Sequence, residues 1–223
     1  MSPFSAEFVT VSPGRNIWVQ YYSPEQPNGG TVFIFPPILD EYKRSLDFLV
    51  SLARELAKAG WKVIAMDYYG TGDSDGATHQ FEPAERLEDA WALVRSQHAL
   101  PGPVIALGLR FGADFAVLLN QLAPVFSALV LIEPLVEGKR FLMEQKLRRS
   151  AFRKIHQIAR PSTESVIIQG QPYEDFPGFP LSEDALHFLE DMRIPPDRAW
   201  DEKINLLLLG IDLSGPQRSL RRL

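Results

Sequence analysis

Five short apolar runs recur along the chain: Thr31–Phe35, Lys62–Met66, Pro103–Leu107, Ala128–Ile132 and Ile204–Leu209. Runs of this length suit strands buried on both faces, where side chains need not alternate between apolar and polar. The first four are each followed by a segment of helical periodicity. That alternation restricts the chain to a mostly parallel, doubly wound sheet built through right-handed crossovers.

The remaining pattern fills in the frame. Residues 6–11 and 15–22 alternate as two strands, with Pro13 and Gly14 in the turn between them. Residues 45–59 place Leu46, Leu49, Leu52, Ala53 and Leu56 at helical spacing, and Gly60 stops the helix. Residues 83–97 repeat the pattern with Leu87, Trp91 and Val94. Residues 111–122 form the next helix. The rhythm breaks after Pro134. Met143, Leu147, Ala151, Ile155 and Ile158 then recur at intervals of four or three and predict one face of a helix. The Pro- and Gly-rich stretch QGQPYEDFPGFP follows, then a short helix over 182–191. We read 138–200 as an insertion, a helical cap over the sheet edge where ligands bind, within a single domain spanning 1–223.

The chain has 223 residues and a net charge of -5, which argues against general nucleic-acid binding. The charge is uneven: residues 139–160 sum to +7, leaving -12 on the remainder, so this segment forms a distinct surface. There is no cysteine. Disulfides, thiolate metal sites and cysteine nucleophiles are thereby excluded, and no cofactor or metal is implied. The composition fits a cytoplasmic protein. The start MSPFSAEFVTVSPGR lacks the basic and apolar regions of a secretory signal. The longest apolar stretches, ALVLIEPLV and INLLLLGIDL, fall well short of the ~20 residues of a membrane span.

Three motifs carry chemistry. In Gly108-Leu109-Arg110-Phe111-Gly112 a strand enters and a helix leaves. That is the frame of the G-x-S-x-G nucleophile elbow, with arginine at its centre. In MDYYGTGDSDG, residues 66–76, the glycines permit a tight loop that Asp67, Asp73 and Ser74 can brace by hydrogen bonds. Its functional alternative is a ligand or metal on Asp73 or Asp75. In FIFPPILDEYKRS, residues 33–45, the loop after the strand is where an oxyanion donor would lie. Pro36 and Pro37 have no N–H to give, so Ile38 or Leu39 would donate, with Phe111 as the second donor.

The segments PPILDEYKRS, GTGDSDG, GLRFG and LVLIEPLVEGKRFL resemble the α/β-hydrolase-fold proteins encoded beside exosortase and exopolysaccharide systems, the exosortase A system-associated hydrolases. The resemblance runs from about residue 30 to about residue 215. An arginine in the elbow is not unusual for that group. It implies a bacterial, cytoplasmic protein of the α/β-hydrolase fold, acting as a hydrolase or acyl transferase on an ester, thioester or amide.

The residues themselves do not complete a Ser-His-Asp triad. A guanidinium stays protonated and cannot attack. Asp212 follows the last strand, where the acid of such a triad often sits, and Glu133 ends the neighbouring strand. His79, His98, His156 and His187 all precede Asp212, and the eleven residues after it hold no histidine. The final strand and helix of the usual fold are expected to be missing, leaving an open sheet edge after Leu209. Arg110 is expected to pair with Glu133 at the pocket floor. Its alternative is to receive the carboxylate or phosphate of a ligand. The basic helix is either a solvated lid or a contact for an acidic glycan, a nucleotide-linked sugar or an anionic membrane surface. Two functions therefore stand: hydrolysis or acyl transfer with unusual machinery, or a catalytically silent protein binding an anionic or glycan-related ligand or a partner protein.

Overall fold

The computed structural model describes residues 3–97, 100, 102–157, 165–193, 204–210 and 220–222. The chain opens with a hairpin, β1 (Phe4–Ser12) and β2 (Arg15–Tyr22), turned by Gly14 at φ 75°. The crossover units follow. They comprise β3 (Thr31–Phe35), α1 (Asp40–Lys58), β4 (Lys62–Met66), α2 (Pro83–Ser96), β5 (Val104–Leu109), α3 (Phe111–Leu122) and β6 (Ala128–Ile132). Next come α4 (Gly138–Ile155), the strands β7 (Ser165–Ile168), β8 (Gln171–Phe176) and β9 (Phe179–Leu181), and α5 (Glu183–Asp191). The last two strands are β10 (Asn205–Leu209) and β11 (Leu220–Arg222).

The main sheet has the order β1-β2-β4-β3-β5-β6-β10-β11. Its centre, from β4 to β10, is parallel, while the hairpin at one edge and β11 at the other are antiparallel. Alternate residues of the central strands face different cores. Phe33, Phe35, Ile64 and Met66 join Phe111 and Phe115 under α2 and α3. Val32, Ile34, Val63, Leu107 and Leu109 join Leu49 and Ala53 of α1 on the opposite face. Every residue of β3 is buried, as its unbroken apolar run requires.

Three expectations need correction. Helix α1 begins at Asp40 rather than Ser45, because Asp40 and Glu41 suit the positive end of a helix. The Pro- and Gly-rich stretch after α4 forms a separate three-stranded antiparallel sheet, β7-β8-β9, with Gly170 and Gly178 at positive φ in its turns. A strand does follow Leu209: β11 pairs with β10, so the sheet does not end on β10. Three residues are too few for a periodicity to be read.

The structure also shows which face of α4 is covered. Met143, Leu147 and Ile155 are 59%, 64% and 75% exposed, whereas Phe141, Leu142, Gln145 and Arg149 are buried. The regular apolar stripe therefore points outward. The inner face is set by ion pairs as much as by apolar area. Arg149 donates to Glu174 and to the carbonyl of Asp175 on β8, with its guanidinium over the Phe176 ring. Ile158 lies outside the described residues.

Candidate functional site

The site is built where the strands end. β3 and β5 are neighbours in register, Phe35 beside Gly108, so α1 and α3 leave the sheet from the same edge. The turn from β5 into α3 is one residue, Arg110, held at φ 54° and ψ -122°. An L-residue adopts this left-handed backbone only where its surroundings enforce it. Both flanking glycines are required. A Cβ on Gly108 would lie 2.1 Å from the Gly112 carbonyl oxygen, and one on Gly112 would lie 2.0 Å from that of Phe35. The Arg110 N–H donates to the Ile132 carbonyl at 2.9 Å, which holds the turn to β6.

The Arg110 side chain pairs with two carboxylates. Its Nε is 3.1 Å from Glu41 Oε2 and its Nη2 is 3.2 Å from Glu41 Oε1, a two-pronged pair. Nη2 also donates to Glu144 Oε2 at 3.3 Å. Glu41 in turn accepts from Gln145 Nε2 at 3.2 Å and pairs with Arg148 at 3.1 Å, and Glu144 pairs with Arg140 at 3.3 Å. One guanidinium on the sheet thus joins the first turn of α1 to the middle of α4. Burial alone would lower the pKa of Arg110. The hydrogen bonds and charge of Glu41, then the charges of Glu144 and Glu133, outweigh it and raise the pKa.

Glu41 holds a direct pair with Arg110, and Glu133 adds a further favourable charge. The place of Glu41 follows from the start of α1. With the helix beginning at Asp40, Glu41 falls in its first turn and is 7% exposed beside the elbow. Glu133 sits in a positive-φ turn at the end of β6 and lines the same cavity as Arg110. This cavity, about 490 Å³, is also walled by Glu137, Arg140, Phe141 and Glu144. A larger cavity of about 780 Å³ lies between Tyr22 and the last turns of α1, and none of the elbow residues line it.

Behind the elbow, Asp114 in the first turn of α3 is buried and accepts from the Leu135 N–H at 2.7 Å. It fastens the loop that carries Glu133. Burial pushes its carboxyl up to about 6, against the backbone N–H groups of Leu135 and Val136 and the charge of Arg110.

The other motif residues fall into structural roles. Asp67 accepts from Tyr42 Oη at 2.7 Å and from the Asp73 N–H at 3.0 Å, and Ser74 Oγ bridges the Asp67 carbonyl and the Trp18 N–H. Asp75 accepts from Asn16. These contacts brace the loop as its glycines suggested. Ile38, Leu39 and Phe111 are all buried, Leu39 at φ 58° as the N-cap of α1 and Phe111 opening α3. His79 packs on Tyr173 and His156 on Phe152, while the residues lining the Arg110 cavity include no histidine. Asp212 and His98 lie outside the described residues. Among the described residues no cluster of three or more His, Asp or Glu could hold a metal ion, and no helix is long and apolar enough to cross a membrane.

A parallel sheet with an elbow at the third crossover strand defines the α/β-hydrolase class. Residues 30–172 match the family described as serine aminopeptidase, S33, and the chain belongs to it. No curated protein matches the chain. Solved structures of the same fold include a protein of Agrobacterium vitis S4 provisionally assigned as a hydrolase. It is 22% identical, with a TM-score of 0.58 over 86% of this chain and 73% of that one. Est1E of Butyrivibrio proteoclasticus, solved with ferulic acid bound, is 14% identical, with a TM-score of 0.59 over 84% and 72%. XC6422 of Xanthomonas campestris, an α/β serine hydrolase without a lid, is 20% identical, with a TM-score of 0.51 over 61% and 63%. Identities this low establish the shared fold alone.

Proposed function

We propose that this α/β-hydrolase-fold protein binds a small polar ligand under a cap formed by the segment 138–200, and that its elbow does not carry a nucleophile. The observation that carries the reading is the two-pronged pair of Arg110 with Glu41. A guanidinium paired with two carboxylates stays protonated and has no free lone pair to attack with. The pairing also refines the ligand. Arg110 is already neutralised, and Glu133, Glu137 and Glu144 outnumber the arginines on the cavity wall. A neutral, hydroxyl-rich ligand or one bearing an amine suits this wall better than a carboxylate or phosphate, which would have to displace Glu41. A glycan-related ligand, and with it the association with exosortase systems that the sequence resembles, remains compatible with such a wall.

The second reading is hydrolysis or acyl transfer on an ester, thioester or amide. Membership of a serine aminopeptidase family favours it. Incubation of the intact chain with a fluorophosphonate probe and p-nitrophenyl esters separates the two. We expect no labelling and no turnover; stoichiometric labelling of any serine overturns the binding reading. Arg110→Ser alone is also expected to stay inactive, since no histidine lines the cavity among the described residues.

A further inference from the structure

The outer face of α4 carries a regular apolar stripe. Met143, Leu147, Ala151 and Ile155 run along it at intervals of four residues, and all are exposed. Between and beside them stand Lys139, Arg140, Ser150 and Lys154, also exposed. Over the helix the only acid is Glu144. It pairs with Arg110 as well as with Arg140, so of the cations beside the stripe it offsets Arg140. Lys146, Arg148 and Arg149 pair with Glu174 and Glu41, so the cations beside the stripe are Lys139, Arg140 and Lys154.

We propose that this face rests on an anionic lipid surface, with the helix lying along the interface. An aliphatic stripe flanked by lysines and arginines has one partner that satisfies both parts at once: acyl chains for the stripe and headgroup phosphates for the ammonium and guanidinium groups. A second copy of the chain would cover the stripe but set like charges against each other. A nucleic-acid backbone would meet the charges and offer nothing to Met143, Leu147 and Ile155. The helix lies on the surface rather than crossing it, since no described helix is long and apolar enough to span. The inference is independent of what the Arg110 cavity binds.

Flotation of the intact protein with lipid vesicles tests it. The chain is expected to float with mixed phosphatidylcholine–phosphatidylglycerol vesicles at low salt and to remain behind with phosphatidylcholine alone. High salt should weaken the binding, because it shortens the range of the charges. The double variant Lys139→Gln/Lys154→Gln should weaken partition about twenty-fivefold, at about fivefold per lysine. Leu147→Ser/Ile155→Ser should weaken it by about tenfold or more through lost apolar burial. All four side chains are exposed, so an unchanged melting temperature is expected and identifies a folded variant. Failure to float with anionic vesicles, equal binding to neutral ones, or binding unchanged in both double variants overturns the proposal. Self-association without lipid that Leu147→Ser/Ile155→Ser abolishes overturns it in favour of a second copy.

Discussion

Arg110 owes its place to backbone as much as to charge. Its φ of 54° is imposed by two glycines that admit no Cβ, and its guanidinium is then aimed at Glu41. Removing either partner strips a buried or partly buried charge of its two-pronged partner, so Arg110→Ala and Glu41→Ala should each cost about 1–3 kcal/mol. A double-mutant cycle by urea denaturation should give a coupling of about 1–2 kcal/mol; a coupling of zero would mean the pair is incidental. Asp114 offers a pH test. Its folded pKa, about 6, lies above the ordinary 3.8, so the folded state holds the proton longer than the unfolded one. Its stabilising contribution is complete below the ordinary value and is lost as pH rises towards 6. Asp114→Asn keeps an acceptor for the Leu135 N–H without the charge. The variant should therefore gain on the parent between those limits, by about 1–3 kcal/mol, and stay level above them. A gap that widens towards acid would contradict this.

At the scale of elements, strands and α3 were legible in the sequence because burial on both faces leaves an unbroken apolar run. The start of α1 was not. Residues 40–44, DEYKR, carry no apolar period, and their helical state rests on acids at the helix N-terminus and on contacts across the sheet. The elbow motif was therefore visible, while Glu41, the residue that completes the site, was not. Periodicity found the apolar face of α4, but spacing identifies a face without saying what covers it. What seats α4 is partly Gly138, where a Cβ would lie 1.5 Å from the Leu189 carbonyl oxygen of α5. Its N–H donates to the Met192 carbonyl at 2.9 Å. Gly138→Ala should force α4 and α5 apart and lower stability by about 2 kcal/mol or more, read as a melting-temperature drop of about 4 °C or more.

For the whole molecule, the parallel centre supplies a rigid floor, and everything that distinguishes this chain is fastened to one end of it. Glu41, Arg110 and Glu144 lie 69 and 34 residues apart in sequence, on three different elements. Such a joint closes only after the sheet has been assembled, because each arm must be placed before the charges can meet. Its contribution therefore belongs to the late side of the folding barrier. Stopped-flow denaturation of Glu41→Gln should show faster unfolding with a nearly unchanged refolding rate. The guanidinium at the elbow would then act chiefly on lifetime, setting how long the closed molecule persists rather than how readily it forms.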